Sequence, residues 1–292
     1  MPVRFPIPAF PPQTSFRYRT HQPLFHSPGT APPPRTNLFV DNFPANGYMY
    51  DEYDFCQKRK GRNMDNQETV AYNRMPLIGD PAPAFTAVTT QGPLNFPADY
   101  KGKWVILFSH PADFTPVCTT EFMTFATLAD EFKALNTELV GLSVDSLYAH
   151  IAWLRKIQEL EWKGMKNVEV KFPLIEDIRM EVANKYGMIQ PGQSNTQAVR
   201  AVFIIDPQGK IRTILYYPLT TGRNFDEIKR IIQALQKADS DKVATPADWR
   251  PGQDVIIPTA GSCGTAKERM ESKDEDQYCL DWFMCFKREK KA

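Results

Sequence analysis

Residues 103–121 read KWVILFSHPADFTPVCTTE and contain the passage from an apolar run into a helix. The run at 103–109 is short and mostly apolar, which is typical of a buried strand. Apolar residues then recur at the spacing of one helix face, namely Phe122, Phe125, Leu128, Ala129, Phe132 and Leu135. A buried strand that leads directly into an amphipathic helix predicts an α/β domain.

Strand and helix signals continue to alternate towards the C-terminus. In chain order, the predicted elements are a strand at 139–144, a helix through Leu147, Ile151, Leu154 and Ile157, a half-buried strand through Val168, Val170 and Phe172, a helix at 178–186 that stops at Gly187, a hairpin of 201–205 with 211–217, and a helix from Phe225 to Leu235. Residues 206–209, DPQG, have Pro and Gly where a type I turn favours them. The order β-α-β-α-β-α-β-β-α indicates an α/β fold with a mixed central sheet.

The domain organisation follows from where the alternating strand and helix signals begin and end. Ten of the 25 prolines lie in the first 40 residues, which disfavours helix and central strand there. We therefore predict a disordered, Pro-rich N-terminal extension at 1–74, a main domain at 75–242 and a small C-terminal domain at 243–292. A transit peptide, or translation that begins at Met64 or Met75, remain open alternatives for the extension.

Composition excludes several classes of protein. The formal net charge of +1 argues against a dedicated nucleic-acid binder. The sequence contains no run of 18 apolar residues, so it predicts no transmembrane helix. The five cysteines are odd in number and widely spaced, unlike a secreted disulfide scaffold. We expect a reducing, cytoplasmic location, with organelle import through the extension left open.

Cys118 is the leading candidate for chemistry. Pro116 suits the first turn of a helix and makes Thr115 the expected N-cap residue, which places Cys118 in the first turn. Unpaired backbone N–H groups and the positive end of the helix dipole favour a thiolate there. A cysteine between a strand and a helix is therefore a redox or nucleophilic candidate, although many free cysteines are simply buried.

The neighbouring residues resemble a known family. The pattern Pro111-x-x-x-Thr115-x-x-Cys118, within HPADFTPVCTTE, resembles the active site of the peroxiredoxins, and most closely their one-cysteine subfamily in the AhpC/TSA superfamily. The resemblance continues in AVRAVFIIDP at 198–207, in YYPLTTGRNFDEI at 216–228 and in TPADW at 245–249. The tail at 279–285, CLDWFMC, resembles archaeal-type members that carry extra C-terminal cysteines.

This resemblance implies a thioredoxin-like fold with a small C-terminal α+β domain, and an antioxidant peroxidase that needs no cofactor and no metal. Cys118 would attack a hydroperoxide and become a sulfenic acid. Arg200 would keep Cys118 ionised, Thr115 would hold the peroxide in line with the sulfur, and Pro111 would keep water out of the pocket.

Three further residues would support the site. Glu121, one turn into the helix, would hold the guanidinium of Arg200. Arg223 matches a second arginine near the site in relatives, and His110 would hydrogen-bond near the thiolate. For each residue a plain structural role stays open: a solvated acid, a surface helix-start residue and a buried histidine.

The resemblance also implies how the oxidised enzyme is reduced. Cys285, or alternatively Cys279, would be the resolving thiol in a disulfide between subunits, while Cys263 lies outside the pattern and Cys56 lies in the extension. An external thiol of the thioredoxin, glutaredoxin or glutathione type would complete the cycle. Relatives further imply a homodimer that assembles into a larger ring.

Four other functions are alternatives to a peroxidase. A zinc site is a rival explanation for Cys263, Cys279 and Cys285, but spacings of 16 and 6 residues do not match the usual ligand pattern. A cysteine hydrolase with His110 or His150 as base has no accompanying acyl-transfer motif. A disulfide reductase is disfavoured because Cys118 has no C-x-x-C partner. A redox-gated chaperone or scaffold remains the alternative from a different class.

Overall fold

A seven-stranded mixed sheet forms the centre of residues 75–272 and 274–289, the part of the chain that the computed structural model describes. The strands are β1 (Phe85–Thr89), β2 (Gly92–Phe96), β3 (Trp104–Ser109), β4 (Thr137–Ser143), β5 (Leu174–Glu176), β6 (Arg200–Ile205) and β7 (Ile211–Tyr217). Their order across the sheet is β2-β1-β5-β4-β3-β6-β7. The pairs β3–β4 and β4–β5 are parallel and the others antiparallel, which confirms the predicted mixed sheet.

Helices cover both faces of this sheet. They are α1 (Pro116–Ala134), α2 (Leu147–Gln158), the short α3 (Glu181–Lys185) and α4 (Phe225–Asp241). Residues from α1, α2 and α4 form one apolar cluster, which includes Phe125, Trp153 and Ile228, and α3 contributes to a second cluster. Within the described part of the chain, no helix is long and apolar enough to cross a membrane.

The alternation of β3 and β6 decides which side chains meet α1. All six residues of each strand are buried. Ile106 and Phe108 belong to the cluster around α1, whereas Val105 and Leu107 pack on the opposite face. In β6, Val202 and Ile204 face α1 in the same way. Because side chains of a strand alternate, Arg200 at the start of β6 also lies on the face that α1 covers.

The C-terminal segment is a small α+β unit, as predicted. Strands β8 (Val255–Ile256), β9 (Gln277–Asp281) and β10 (Met284–Lys287) form a sheet in the order β8-β10-β9. Helix α5 (Cys263–Glu271) precedes β9. An ion pair between Lys237 of α4 and Glu289 joins the end of this unit to the main domain.

The structure corrects two predicted elements between α2 and β6. Residues 168–172 form no strand; β5 begins only after Pro173, whose carbonyl accepts a hydrogen bond from the Gly141 N–H. Val168 and Phe172 are apolar because they pack on the core as part of a loop. Helix α3 begins at Glu181 rather than at residue 178, because Met180 has a φ of 56° and the Asp177 carboxylate accepts hydrogen bonds from the first turn.

The hairpin of β1 and β2 was not predicted. Its strands are short, and β2 starts with Gly92 and Pro93, which are poor strand formers. The hairpin of β6 and β7 agrees with prediction, since the Gly209 N–H donates to the Asp206 carbonyl across the turn. The expectations for residues 1–74, including Cys56 and an internal start at Met64, lie outside the described residues.

Candidate active site

Cys118 lies in the first turn of α1, and its side chain is buried. A loop of six residues, 110–115, joins β3 to this helix. Thr115 is the N-cap residue and Pro116 the first helical residue, so the local geometry is the one predicted. The helix start therefore directs backbone N–H groups and a partial positive charge towards the sulfur.

Arg200 makes a direct hydrogen bond to the sulfur of Cys118. Its Nη1 atom donates to Cys118 Sγ at 3.3 Å and to Glu121 Oε2 at 2.7 Å. Its Nε and Nη2 atoms both donate to the Leu219 carbonyl, at 3.1 and 2.8 Å. The hydrogen bonds to the Leu219 carbonyl and to Glu121 fix the guanidinium, so the N–H of Nη1 that faces Cys118 is held in position against the sulfur.

Glu121 joins Arg200 to Arg223, and we call these three residues the arginine–glutamate cluster. Arg223 donates through Nε to Glu121 Oε1 at 3.0 Å and through Nη2 to Oε2 at 2.7 Å. Its Nη1 donates to the carbonyls of Ser109 and Ala201. All three side chains are almost fully buried, so two cations share one anion away from bulk water. The cluster therefore places the positively charged guanidinium of Arg200 beside Cys118.

The pKa of Glu121 reflects this arrangement. Burial raises the pKa of the carboxyl, but the charges and hydrogen bonds of Arg223 and the charge of Arg200 outweigh burial and hold the pKa below its ordinary value. The carboxylate is therefore ionised at neutral pH and keeps both guanidinium groups in place.

Thr115 and Pro111 line the loop in front of α1. The Thr115 hydroxyl accepts no capping hydrogen bond from α1; it donates to the Ala112 carbonyl at 2.9 Å. A hydroxyl that donates can still accept, so its oxygen remains able to receive a hydrogen bond from a ligand. Pro111 is buried where the loop leaves β3.

His110 takes part in a different contact from the one expected. Its Nε2 atom lies 2.9 Å from Asp113 Oδ1, and Asp113 Oδ2 lies 2.7 Å from Nδ1 of His150. We call these three buried residues the histidine–aspartate cluster. Within the described residues, His110 Nδ1 has no hydrogen-bond partner, and the hydrogen bond of the ring goes to Asp113 rather than to Cys118.

Sequence analysis missed Asp113 as a site residue and considered His150 only as a base. The sequence does not show that Asp113 is buried, because one of its two histidine partners, His150, lies 37 residues away in the chain. The other partner, His110, is three residues away. Burial lowers the pKa of His110 and outweighs the hydrogen bond to Asp113, which acts in the opposite direction. Burial raises the pKa of Asp113, but the hydrogen bonds of both histidines outweigh it and lower that pKa.

One group of side chains has the spacing of metal ligands. Ligand atoms of His110, Asp113 and Asp145 lie within 4.8 Å of one another. The Asp113 oxygens face the two histidines, and Asp145 Oδ2 accepts from the Asp113 N–H and the Ser143 hydroxyl. These hydrogen bonds account for the arrangement without a cation.

The tail cysteines are joined to each other. Cys279 of β9 and Cys285 of β10 occupy paired positions and form a disulfide. Cys285 is buried, whereas Cys263 at the start of α5 is a free, exposed thiol. The three cysteines that suggested a rival zinc site are thus divided between a disulfide and a separate thiol.

Two family models match the chain. The model of the AhpC/TSA family matches residues 78–214, and that of the C-terminal domain of 1-Cys peroxiredoxin matches residues 234–273. A peroxiredoxin of Methanosarcina mazei is 69% identical over 216 residues, which cover 74% of this chain and 99% of that protein. A peroxiredoxin of Aquifex aeolicus is 51% identical over 224 residues, which cover 73% and 97%.

Solved structures agree with these matches. The yeast mitochondrial 1-Cys peroxiredoxin has a TM-score of 0.64 at 40% identity, and a cysteine-to-serine mutant of the peroxiredoxin 6 of Arenicola marina has a TM-score of 0.65 at 34% identity. Each match covers 74% of this chain and all of the other. On its sequence, fold and relatives, the chain belongs to the peroxiredoxin family and is a thiol peroxidase.

Proposed function

We propose that Cys118 is the nucleophile that reduces hydrogen peroxide and organic hydroperoxides. The observation that carries this assignment is the 3.3 Å contact between Arg200 Nη1 and the buried Cys118 Sγ. The thiolate attacks the terminal peroxide oxygen, an S–O bond forms and the O–O bond breaks. The leaving hydroxide or alkoxide takes a proton from solvent, and Cys118 remains as a sulfenic acid.

The residues around Cys118 have separate roles in the reaction. Arg200 stabilises the thiolate and the negative charge that develops on the departing oxygen. Thr115 accepts a hydrogen bond from the peroxide and holds it in line with the sulfur. Glu121 and Arg223 hold Arg200 in position, and Pro111 shields the pocket from water. The contacts of the arginine–glutamate cluster support this division, because each of them restrains a guanidinium.

The tail supplies the resolving thiols in this proposal. Cys285 of a second copy attacks the Cys118 sulfenic acid, which forms a disulfide and releases water. Cys279 then attacks that disulfide, which frees the Cys118 thiol and leaves the Cys279–Cys285 disulfide. The pairing of these two cysteines on β9 and β10 supports the second exchange.

An external thiol then reduces the tail disulfide. The yeast mitochondrial relative has a thiol resolving mechanism via the glutathione and thioredoxin systems. We propose reductants of the thioredoxin, glutaredoxin or glutathione type for this chain as well. Transfer of the tail to a second copy requires at least a homodimer, and we propose that dimers assemble into a ring. The cytoplasmic location stays a prediction.

The test is mass spectrometry of the reduced protein after one equivalent of hydrogen peroxide. We expect Cys118 to be oxidised within seconds, first to a sulfenic acid and then to a disulfide with Cys285. In the Cys285→Ser variant, the first oxidation persists and the Cys118–Cys285 disulfide is lost; a Cys118 disulfide that persists there makes Cys279 or Cys263 the resolver. Slow oxidation spread over all cysteines would contradict the assignment of Cys118. Native mass spectrometry tests the dimer and the ring.

A further inference from the structure

The histidine–aspartate cluster, His110, Asp113 and His150, has no part in the chemistry proposed above. Two of its members belong to the active-site loop, and all three side chains are almost fully buried. His110 and Asp113 both lie in the loop 110–115 and His150 belongs to α2, so the cluster joins the active-site loop to α2. Burying a carboxylate costs free energy unless hydrogen bonds compensate for the lost water. The cluster is therefore a feature of the site whose role has to be explained.

The hydrogen bonds define where the protons lie. His150 Nε2 is 3.1 Å from the Ile175 carbonyl, which can only accept, so Nε2 donates. His150 Nδ1 lies 2.7 Å from Asp113 Oδ2, and a carboxylate oxygen can only accept, so Nδ1 donates as well. His110 donates to the other carboxylate oxygen through Nε2. Both oxygens of Asp113 are therefore held, one from each side.

These contacts fix the loop at its centre. The Asp113 N–H donates to Asp145 Oδ2 at 3.0 Å, so backbone and side chain of this residue are both anchored. The next residue, Phe114, has a φ of 57°, a left-handed conformation that is unfavourable for a bulky residue. Its side chain is 58% exposed and contributes little packing that could stabilise this conformation. The surrounding anchors must therefore maintain it.

Thr115 follows Phe114 directly and is the N-cap residue of α1, which carries Cys118. We propose that Asp113, held by His110 and His150, is a positioning residue for peroxide capture: it fixes the loop that sets Thr115 relative to Cys118. This inference rests on the role proposed above for Thr115. Asp113 itself touches neither peroxide nor sulfur in this proposal.

Two substitutions of Asp113 test whether its hydrogen bonds to the histidines are needed for peroxide capture. Asp113→Ala removes both hydrogen bonds, and we expect the second-order rate constant of Cys118 with hydrogen peroxide to fall about 10- to 100-fold. In Asp113→Asn, the amide oxygen accepts from His110 and the amide N–H donates to Nδ1 of His150, while Nε2 of His150 still donates to the Ile175 carbonyl. Every hydrogen bond is kept, and we expect a rate within about threefold of wild type.

The readouts distinguish positioning from general damage. In Asp113→Ala, alkylation of Cys118 by iodoacetamide should not slow, because that reaction needs the thiolate but not Thr115. Equal slowing of both reactions would overturn the inference, as would a wild-type peroxide rate in Asp113→Ala. If the alanine variant does not fold, His150→Phe removes one of the two donors and should slow peroxide oxidation in the same selective way.

A double variant tests whether Asp113 acts through Thr115. Thr115→Val alone should slow peroxide oxidation, and Asp113→Ala combined with Thr115→Val should be no slower than Thr115→Val alone. Additive losses would overturn the inference. A wild-type rate in Thr115→Val would instead refute the role proposed for Thr115 itself, whatever Asp113→Ala does.

Asp206 provides the matched control. It is a buried aspartate at the opposite end of β6 from Arg200, where it accepts hydrogen bonds from the N–H groups of Gln208 and Lys210. Asp206→Ala should lower stability and leave the peroxide rate of Cys118 at the wild-type value. A matching fall in rate in this variant would show that loss of stability alone explains Asp113→Ala, and would overturn the inference.

Discussion

At the scale of single residues, Cys118 is the group on which peroxide reduction depends. Cys118→Ser replaces the sulfur with a hydroxyl that is not a nucleophile towards peroxides, so we expect peroxide consumption to cease while the circular dichroism spectrum stays unchanged. Cys263→Ser removes a free but exposed thiol and serves as the control, with activity retained. Turnover in the Cys118→Ser variant would assign the reaction to another cysteine.

Arg200 tests whether geometry or charge alone activates the sulfur. Arg200→Lys keeps the positive charge but cannot donate to Leu219, Glu121 and Cys118 together, because an ammonium lacks the planar fork of a guanidinium. We expect the rate constant of Cys118 with hydrogen peroxide, measured by stopped-flow fluorescence, to fall about a hundredfold. A wild-type rate in this variant would mean that charge without orientation is sufficient.

At the scale of elements, α1 is held between β3 and α4 by aromatic contacts. The Phe125 ring lies 4.4 Å from that of Phe108 and 4.3 Å from that of Phe225, measured between ring centroids. The guanidinium of Arg223 lies 5.8 Å from the same ring. The Phe125 side chain therefore packs against β3, α4 and Arg223 at once.

We expect Phe125→Ala to lower the free energy of unfolding by about 3–5 kcal/mol, because the buried ring leaves a cavity. The measurement is a denaturant titration. Tyr148→Ala removes an aromatic ring that is 81% exposed on α2, and it should change the free energy by less than about 0.5 kcal/mol. Equal effects of the two variants would contradict the importance of this packing.

Elements with a clear local pattern were predictable from sequence. The helical spacing from Phe122 onward predicted α1, because side chains three and four positions apart share one face. The alternation at 168–172 predicted a strand that the structure does not contain. Apolar residues of a packed loop can alternate as those of a strand do, and whether they pair depends on a neighbouring strand.

At the scale of the whole molecule, buried titratable groups make the fold sensitive to acid. The pKa values of Glu121 and Asp113 are lower in the folded chain than their ordinary values of 4.5 and 3.8, and that of His110 is lower than 6.5. The unfolded chain therefore binds these protons first as the pH falls. The stabilisation is present above each ordinary value and is lost as the pH falls through the folded pKa.

We expect the free energy of unfolding to decrease from pH 7 towards pH 3, with the steepest part below about 4.5, where the carboxyl groups are titrated. Denaturant titrations at several pH values measure this slope. Glu121→Gln should be less stable at pH 7 and should show a shallower slope, whereas Cys263→Ser should keep the slope of the wild type. An unchanged slope in Glu121→Gln would contradict the contribution of this carboxylate.

Local sequence patterns are sufficient to predict β3, α1, β4, α2, the hairpin of β6 and β7, and α4, and also the place of Cys118 at the start of a helix. Both depend on neighbours within a few residues: the apolar spacing, Pro116 in the first turn and Thr115 before it. Only the folded chain shows that Arg223 meets Glu121 across 102 residues, whereas the contact of Arg200 with Glu121 was expected from the family resemblance. The tertiary structure decides such long-range contacts. It also placed Asp113 between two histidines and joined Cys279 to Cys285. Such contacts depend on strand order and on which face each side chain takes, and these properties belong to the assembled sheet rather than to any local segment.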